Sequence, residues 1–368
     1  MFNTPTKIGP VSIKNRLVMA PMTTYSSNPD YTVSDQEMTY YHARAQTVGM
    51  VITAATAVSK SAHAFPRQIS LEADRFIPSQ KALVDAIHEA GAKAVTQLHH
   101  GGRMSDASIF DDPSHIVAPS AIKADRDFTI TPRAMTLAEV KATQDDFLTA
   151  ISRAIKAGFD GVELHGANTY LLQQFFSPQS NQRTDEYGGS IENRSRFILE
   201  LVEKAKALIE KEATQPFLLG YRLSPEERET PGITLADTRY LINALNALEI
   251  DYLHLSTGHY LQSSIRDTDN TTPLIERLSD VLDPDIPLIG VGGINDLSDV
   301  EAALDHGYRC VATGMTLIAD PLWGDKLINK TPINTTITQD LVPDLMFERL
   351  HRWKRILAQG GRFTLKDD

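Results

Sequence analysis

The chain has 368 residues, of which 42% are hydrophobic and 23% are charged. This composition is ordinary for a packed globular protein and excludes the collagen-like and intrinsically disordered classes. Asp and Glu outnumber Lys and Arg by 47 to 36, which gives a formal net charge of −11. An acidic chain repels the phosphate backbone overall, so nucleic acid is not an expected partner.

The single cysteine, Cys310, excludes an intramolecular disulfide, an iron–sulfur cluster and a thiolate zinc site. The first residues contain no basic stretch followed by an apolar core, as a secretory signal would. No apolar run reaches the roughly 18 residues that cross a membrane. These observations predict a cytoplasmic protein that has no membrane partner.

Eight short apolar, β-branched runs predict β-strands, and longer segments with helical periodicity alternate with them. The predicted strands cover residues 17–20, 50–58, 92–98, 161–164, 217–223, 252–255, 287–290 and 310–313. The clearest predicted helices cover residues 79–90, 137–157, 191–212, 235–248 and 297–306. Asp296 is the expected N-cap of the last of these helices.

An alternation of eight strands with helices predicts an α/β fold of the (β/α)8 TIM-barrel type. An open doubly wound sheet would usually show a glycine-rich turn after its first strand, and none follows residue 20. The run that begins at Gly290 carries Asn295 where a dinucleotide fingerprint has its last glycine. We therefore expect one domain over residues 1–368, with the barrel at about 14–320 and a closing helix at about 341–358.

Two connecting segments, residues 99–136 and 166–190, are longer than ordinary loops and follow the third and fourth strands. Long loops in compact domains are usually functional, and in a TIM barrel this end carries the active site. The residues at the strand ends are Pro21, Met22, Thr23, Ala54, Ala55, Gln97, His165, Arg222, Ser256, Gly292, Gly293 and Gly314. They include no carboxylate pair, so no metal site is expected.

Glycines after the seventh and eighth strands have two interpretations. In barrels these two loops commonly bind a phosphate group through exposed backbone N–H groups, which glycine allows to approach closely. The alternative is that Gly292, Gly293 and Gly314 are only turn residues. The first interpretation predicts a phosphorylated substrate or a nucleotide-like cofactor.

The segment from His165 to Tyr170 holds the other polar candidates. His165 and Asn168 are three residues apart, and on a helical turn both could donate to one atom. Tyr170 would lie on another side of such a turn and joins them only if the chain bends. A buried histidine and an exposed loop tyrosine with no catalytic role are the alternative.

Longer motifs carry a resemblance to a known family. The segment His165-x-x-Asn168-x-Tyr170 is followed by Ser177-Pro178-x-Ser180-Asn181-x-Arg183-Thr184-Asp185-x-Tyr187-Gly188-Gly189-Ser190-x-x-Asn193-Arg194. The same order includes Lys14-Asn15-Arg16-Leu17, Ala20-Pro21-Met22-Thr23, Gln97-Leu98 and Arg222-Leu223-Ser224. From about Lys7 to about Trp323 the chain closely resembles the Old Yellow Enzyme family of flavin oxidoreductases.

The resemblance implies FMN at the barrel mouth and ping-pong chemistry. NADH or NADPH would reduce the FMN, which would pass hydride to the β-carbon of an activated alkene such as an enone, enal or nitroalkene. Oxygen would be an acceptor when no alkene is present, and the oligomeric state stays open. The matching cofactor positions are Ala20, Pro21, Met22, Thr23, Ala55, Gln97, Arg222, Gly292, Gly293, Gly314 and Met315.

The resemblance also implies a role for individual side chains. Thr23 would donate to flavin O4, Gln97 would bind the pyrimidine edge, and Arg222 would stabilise the reduced, anionic flavin. His165 and Asn168 would hold the substrate carbonyl or nitro oxygen, and Tyr170 would protonate the α-carbon. The matching positions that face the substrate are Tyr25, His99, His165 and Asn168.

Four positions depart from the family pattern. Thr23 stands where one branch has cysteine, His99 stands where other members have a tryptophan or a small residue, and Thr169 replaces a glycine that is common before the tyrosine. Met315 stands where the family usually has the arginine that binds the FMN phosphate. Either FMN binds more weakly for lack of that arginine, or another basic residue replaces it, and Lys326 is the candidate.

Two functions outside alkene reduction are the alternatives. One is a non-catalytic flavin-binding protein, which the presence of His165, Asn168 and Tyr170 disfavours. The other is a TIM-barrel lyase that acts on a phosphorylated substrate. Such a lyase would need a Schiff-base lysine or a metal-binding carboxylate at a strand end, and the strand ends contain neither.

Overall fold

A computed structural model describes residues 2–352 and 362–366 of the chain. Eight parallel strands form a closed barrel in which each strand pairs with the next and the last pairs with the first. The strands are β1 (Leu17–Met19), β2 (Met50–Ala57), β3 (Lys93–His99), β4 (Gly161–Gly166), β5 (Leu218–Leu223), β6 (Tyr252–Leu255), β7 (Leu288–Val291) and β8 (Cys310–Thr313). The predicted TIM barrel is confirmed, and the strand ends differ from the prediction by at most two residues.

The barrel closes between β8 and β1, where Ala312 lies opposite Val18. Every residue of β2, β4 and β5 is buried, as expected for parallel strands covered on both faces. A short N-terminal hairpin, Thr6–Ile8 with Val11–Ile13, adds three buried side chains to the cluster inside the barrel. Gly9 in its turn lies against Asp251, just before β6, so the hairpin covers the N-terminal end of the barrel.

Helices surround the barrel, and five of the eleven described begin at a residue whose side chain caps the N-terminus. Their bounds are α1 (Asp35–Ala45), α2 (Ile77–Glu89), α3 (Leu137–Ala157), α4 (Leu171–Phe176), α5 (Ile191–Glu212), α6 (Leu235–Ala247), α7 (Leu274–Leu278), α8 (Leu297–Asp305), α9 (Met315–Ala319), α10 (Trp323–Asn329) and α11 (Asp344–Arg352). Asp296 caps α8 as predicted and forms a capping box with Asp299. None of the helices in the described part of the chain has the length and apolarity that a membrane crossing requires.

The two long segments follow β3 and β4 as predicted. The segment after β3 contains short 3-10 turns and pairs Val117–Ala118 with Arg133–Ala134. The segment after β4 contains α4 and then a polar stretch that leads to α5. Both lie at the C-terminal ends of the strands, because each directly follows a barrel strand.

The C-terminal part differs from the prediction of a helix at 341–358. Residues Gln339–Leu341 form a 3-10 turn, and α11 begins only after Pro343, whose carbonyl accepts the N–H of Phe347 at 2.9 Å. Proline favours the first turn of a helix, since it has no N–H to leave unsatisfied. Residues 353–358 of the predicted helix lie outside the described part of the chain. Beyond them, Thr364–Leu365 pairs in parallel with Thr336–Ile337.

Helix α1 was not among the predicted helices, because polar residues occupy its buried face. Glu37 is fully buried there and accepts hydrogen bonds from the Thr24 hydroxyl at 2.5 Å and the Ser34 N–H at 3.1 Å. Burial raises the pKa of Glu37 from 4.5 to about 7, although these donors oppose the shift.

This raised pKa predicts a falling stability between about pH 4.5 and pH 7. Over that range the folded chain keeps the Glu37 proton while the unfolded chain releases it, so the free energy of unfolding should fall by about 3 kcal/mol. Urea unfolding of the wild type and of Glu37→Gln at several pH values measures the slope, which the variant should lose. The matched control is Glu139→Gln, in another capping box, whose carboxyl has a pKa of about 2 and titrates below this range. Equal slopes in the wild type and Glu37→Gln would contradict the assignment.

Candidate active site

Two adjoining cavities open at the C-terminal end of the barrel. The larger has a volume of about 710 Å³, in the range of ordinary small-molecule sites, and the smaller about 120 Å³. Sequence-predicted residues that line the larger cavity are Ala20, Pro21, Met22, Thr23, Tyr25, Arg222, Gly292, Gly293, Gly314 and Met315. Those that line the smaller are Pro21, Thr23, Ala55, Gln97, His165, Asn168, Tyr170 and Arg222. Pro21, Thr23 and Arg222 face both, so the two cavities form one continuous site.

His165 ends in this site as a neutral hydrogen-bond donor. Its Nδ1 accepts the main-chain N–H of Ala167 at 3.4 Å, which leaves the proton of the neutral ring on Nε2. Burial, with the nearby His99 and the charge of Arg222, holds the pKa of His165 well below 6.5. The ring can therefore donate from Nε2 without carrying a charge.

Asn168 is oriented by two serines from neighbouring strand ends. Its Oδ1 accepts the Ser256 hydroxyl at 2.9 Å, and its main-chain N–H donates to Ser224 Oγ at 2.9 Å. Because Oδ1 already has this partner, the Nδ2 amino group is the part of Asn168 that can donate in the cavity. Ser256 also accepts from Nη2 of Arg222 at 3.0 Å, so one hydroxyl positions both side chains.

Tyr170 reaches the site through a turn and not through a helix. His165 is the penultimate residue of β4, and Asn168 and Thr169 follow in the left-handed region with φ values of 56° and 67°. The helical spacing of His165 and Asn168 is therefore not realised, and the turn brings the Tyr170 ring centroid to 5.0 Å from that of His165. Left-handed backbone is unfavourable for a β-branched residue such as Thr169, so this turn is a strained feature at the site.

The Tyr170 hydroxyl is held in its protonated form. Burial raises its pKa, and the neighbouring Tyr25 adds to the shift while Arg222 opposes it. An ordinary tyrosine is already protonated at neutral pH. The environment of Tyr170 strengthens that preference, as a proton donor requires.

His99 does not line either cavity, which differs from the expectation that it faces the substrate. Its side chain is fully buried behind Tyr170, with the two ring centroids 4.3 Å apart, and Nδ1 contacts Gln68 Nε2 at 3.1 Å. The Phe65 ring stacks on it at 5.8 Å and lines the smaller cavity in its place. His99 can act on the site only by supporting Tyr170 and His165.

A buried carboxylate beneath the site fixes the Gln97 amide. Glu163 Oε1 accepts from Gln97 Nε2 at 2.7 Å, and Oε2 contacts His254 Nδ1 at 2.9 Å. Burial by itself raises the pKa of Glu163, but His254 and the other donors outweigh it and keep the carboxyl ionised. Because an ionised carboxylate only accepts, the carbonyl oxygen of Gln97 is the group left to face the cavity.

The loops after β7 and β8 form the opposite end of the larger cavity. Gly292 and Gly293 have φ values of 104° and 67°, which favour glycine. A Cβ on Gly292 would lie 2.5 Å from the Thr257 carbonyl oxygen, so only glycine fits against the loop after β6 at this position. The Thr313 hydroxyl donates to the Ile294 carbonyl at 2.8 Å and ties the two loops together.

Residues from the C-terminal segment complete the larger cavity, and sequence analysis did not find them. They are Met346, Arg349, Leu350, Arg362 and Phe363. The apolar spacing within α11 was visible in the sequence, but it does not indicate which surface this helix covers. Phe65 was also missed, since it lies in a short loop with no motif.

Other classes of site have no support in the residues described. No group of three or more His, Cys, Asp or Glu side chains is arranged to hold a metal ion within residues 2–352 and 362–366. No lysine of this part of the chain lines either cavity, which leaves a Schiff-base lyase without its nucleophile.

Comparison with known proteins identifies the family. The sequence pattern of the NADH:flavin oxidoreductase / NADH oxidase family matches residues 1–334. The chain belongs to this family. A probable NADH-dependent flavin oxidoreductase of Bacillus subtilis is 44% identical over 317 residues, which cover 86% of this chain and 84% of the relative. The predicted Old Yellow Enzyme membership, with FMN as cofactor and NADH or NADPH as donor, is thereby confirmed.

Solved structures and a longer relative agree with this membership. The morphinone reductase structure has 31% identity and a TM-score of 0.80, with 90% of each chain covered. An Old Yellow Enzyme homologue from Zymomonas mobilis has 28% identity and a TM-score of 0.79, covering 93% of this chain and 98% of its own. The NADH:fumarate oxidoreductase of Klebsiella pneumoniae is 45% identical over 319 residues. Those residues are 86% of this chain but only 34% of that relative, so this chain spans about a third of its length.

Two observations indicate that the site of this Old Yellow Enzyme family member fits FMN. Arg222 Nε is buried and has no hydrogen-bond partner among the described residues, and an acceptor atom of a bound flavin would satisfy it. The bare main chain at Gly292 and Gly293 suits the close approach of a phosphate group. The residues present are therefore consistent with the cofactor of the family.

We expect Glu163→Gln to destabilise the barrel strongly. The substitution removes a buried carboxylate that contacts His254 and fixes Gln97, and a buried hydrogen-bonding group left without its partner costs about 1 to 3 kcal/mol. Urea unfolding of the FMN-free protein measures this cost apart from cofactor binding. The matched control is Asp85→Asn, which breaks an exposed pair with Lys81 and should cost at most about 1 kcal/mol. Similar losses of unfolding free energy in both variants would show that the buried network stabilises the fold no more than an exposed ion pair does.

Proposed function

We propose that this chain reduces the C=C bond of alkenes conjugated to a carbonyl or nitro group, such as enones, enals and nitroalkenes. NADH or NADPH is the electron donor, and FMN is the carrier. The observation that supports this proposal most directly is the convergence of His165, Asn168 and Tyr170 on one cavity of about 120 Å³, which Gln97 and Arg222 also line. Two neutral donors and a protonated phenol are the groups that the reduction of a polarised alkene requires.

His165 and Asn168 bind the substrate oxygen in this proposal. Bound FMN supplies the hydride that the β-carbon of the alkene receives. Negative charge then develops on the conjugated oxygen, and His165 Nε2–H with Asn168 Nδ2–H is placed to stabilise it. Because both donors are oriented by Ala167 and Ser256 before substrate arrives, little reorganisation opposes the reaction.

Tyr170 supplies the proton that completes the reduction. Its hydroxyl transfers a proton to the α-carbon while the β-carbon gains hydride, so the π bond of the alkene is replaced by two C–H bonds and a C–C single bond remains. The raised pKa keeps the proton on Oη until the carbanionic α-carbon accepts it. Phe65 and His99 pack against the Tyr170 ring at 5.9 Å and 4.3 Å and hold it in position.

The names of two relatives suggest the electronic class of the substrate. They are the NADH:fumarate oxidoreductase mentioned above and an NADH:acrylate oxidoreductase of Vibrio harveyi, which is 40% identical over 322 residues. Both named substrates are alkenes conjugated to a carboxyl group. We extend this only to the shared property, an electron-poor C=C bond, and propose oxygen as the acceptor when no alkene is present.

The absorbance spectrum of the FMN-loaded protein tests the proposal. Under anaerobic conditions the flavin band should bleach with NADH or NADPH and return when 2-cyclohexenone is added. The faster bleaching identifies the preferred nicotinamide, and return of the band on admission of air tests oxygen as acceptor. A band that bleaches but does not return with any enone, enal or nitroalkene would overturn alkene reduction. A band that neither nicotinamide bleaches would instead indicate a flavin-binding protein without this activity.

Tyr170→Phe should separate the two half-reactions. Loss of the general acid should slow alkene reduction by about 10²- to 10⁴-fold, whereas flavin reduction by the nicotinamide should stay within a few-fold of the wild type. Stopped-flow absorbance measures each half-reaction in turn. Tyr240→Phe, on α6 outside both cavities, is the matched control and should change neither rate. Equal losses in both half-reactions of Tyr170→Phe would exclude the proton-donor role.

The depressed pKa of His165 predicts a flat pH profile for alkene reduction. An ordinary histidine titrates near pH 6.5, but this ring stays neutral well below that value, so the rate should not change in a step between about pH 5.5 and 8. His165→Asn keeps a donor that cannot titrate and should give a lower rate with the same profile. A step near pH 6.5 that disappears in His165→Asn would show that the ring becomes charged.

A further inference from the structure

The glycine loops of the larger cavity lack the cation that the family usually places there. The expected phosphate end is formed by Gly292, Gly293, Gly314 and Met315. Met315 replaces the arginine of the family pattern, so the loops themselves offer main-chain N–H groups and uncharged side chains such as Asn295 and Thr316. A phosphate carries up to two negative charges, and this chain has a net charge of −11. Some other side chain has to supply the positive charge at this end.

Lys326, the candidate from the sequence, does not reach the cavity. Its ammonium bonds to Asp320 Oδ2 at 2.6 Å, and Asp320 is itself buried. Among the described residues, three cations line the larger cavity: Arg222, Arg349 and Arg362. Arg222 faces the smaller cavity as well and is bound to Ser256, so it belongs to the end where the substrate would lie.

Arg349 is also occupied by another contact. Its guanidinium lies 4.6 Å above the centre of the Tyr25 ring, and this contact joins α11 to the loop after β1. A cation–π contact of this kind holds the guanidinium at the aromatic face. Of the three cations, Arg362 is therefore the one whose N–H donors are least engaged by contacts among the described residues.

Arg362 is placed beside the loop after β7. Its Nη2 lies 3.7 Å from Asp296 Oδ2, which is too long for a hydrogen bond, and 38% of its side chain is exposed. Asp296 comes three residues after Gly293, and its Oδ1 caps α8 by accepting the main-chain N–H groups of Ser298 and Asp299. Among the described residues, Arg362 has no hydrogen-bond acceptor nearer than Asp296, so its N–H donors remain for another acceptor there.

The C-terminal strand pair fixes the position of Arg362. Thr364 donates its N–H to the Thr335 carbonyl at 2.9 Å, and Lys366 donates to the Ile337 carbonyl at 3.0 Å. Phe363, the next residue, also lines the larger cavity. The segment thus enters the cavity wall as an ordered part of the fold, at the end where the glycine loops lie.

We propose that Arg362 binds the FMN phosphate and takes the role of the arginine that the family usually has at position 315. This inference rests on the proposed placement of the phosphate at the glycine loops. A guanidinium binds phosphate through two parallel N–H donors, which a methionine cannot do. The phosphate is then held from two directions, by the main chain of the barrel loops and by the C-terminal segment. FMN binding and the docking of that segment consequently favour one another.

Binding of FMN and of riboflavin to the cofactor-free protein tests this inference, because riboflavin lacks only the phosphate. Quenching of flavin fluorescence gives both dissociation constants. Arg362→Gln should weaken FMN binding by about 10- to 100-fold and leave riboflavin binding unchanged. Restoring the family residue in the double variant Met315→Arg/Arg362→Gln should recover most of the lost FMN affinity.

A control variant makes the result specific to Arg362. Arg352→Gln removes the same charge from an exposed position on α11 that does not line the cavity. It should keep the wild-type ratio of FMN to riboflavin affinity. An unchanged ratio in Arg362→Gln, or an equal loss in Arg352→Gln, would overturn the role of Arg362 while the cofactor site stands. A wild-type protein that binds FMN no better than riboflavin would overturn the phosphate site itself.

Discussion

Closure of the eight parallel strands is the constraint on which the site depends. A parallel sheet must bury both faces, and closing it removes the edges that would otherwise expose unpaired backbone groups. All eight carboxyl ends then meet in one ring, so residues that are distant in sequence, such as Gln97, His165, Arg222 and Gly314, become neighbours. No local preference of the chain could bring these four residues together.

Burial then decides the chemical state of the groups in that ring. His165 stays neutral and Tyr170 stays protonated because neither can carry a charge cheaply out of water. Glu163 is the exception, since His254 and Gln97 compensate for its burial and keep it ionised. The same buried environment therefore gives two uncharged donors in the smaller cavity and one fixed anion that holds Gln97.

Local signals in the sequence predicted most of the fold. Helices α3 and α5 begin and end at the predicted residues. Thr136 and Ser190 cap their N-termini by accepting N–H groups only three positions further along the chain, so the signal is local. Helix α1 escaped prediction, since its buried face contains Glu37 and Arg44. Their burial is made possible by partners elsewhere in the chain, which a periodicity of apolar residues does not reveal.

The sequence by itself determined the barrel, the family and the residue types that carry the chemistry, because strand alternation and the motif around His165 are continuous in the chain. Only the tertiary structure decided how those residues meet. The left-handed turn at Asn168 and Thr169 brings Tyr170 to His165, and a folded C-terminal segment brings Arg362 to the glycine loops. Both outcomes depend on backbone direction and on packing between distant segments, and neither leaves a pattern in the order of the amino acids.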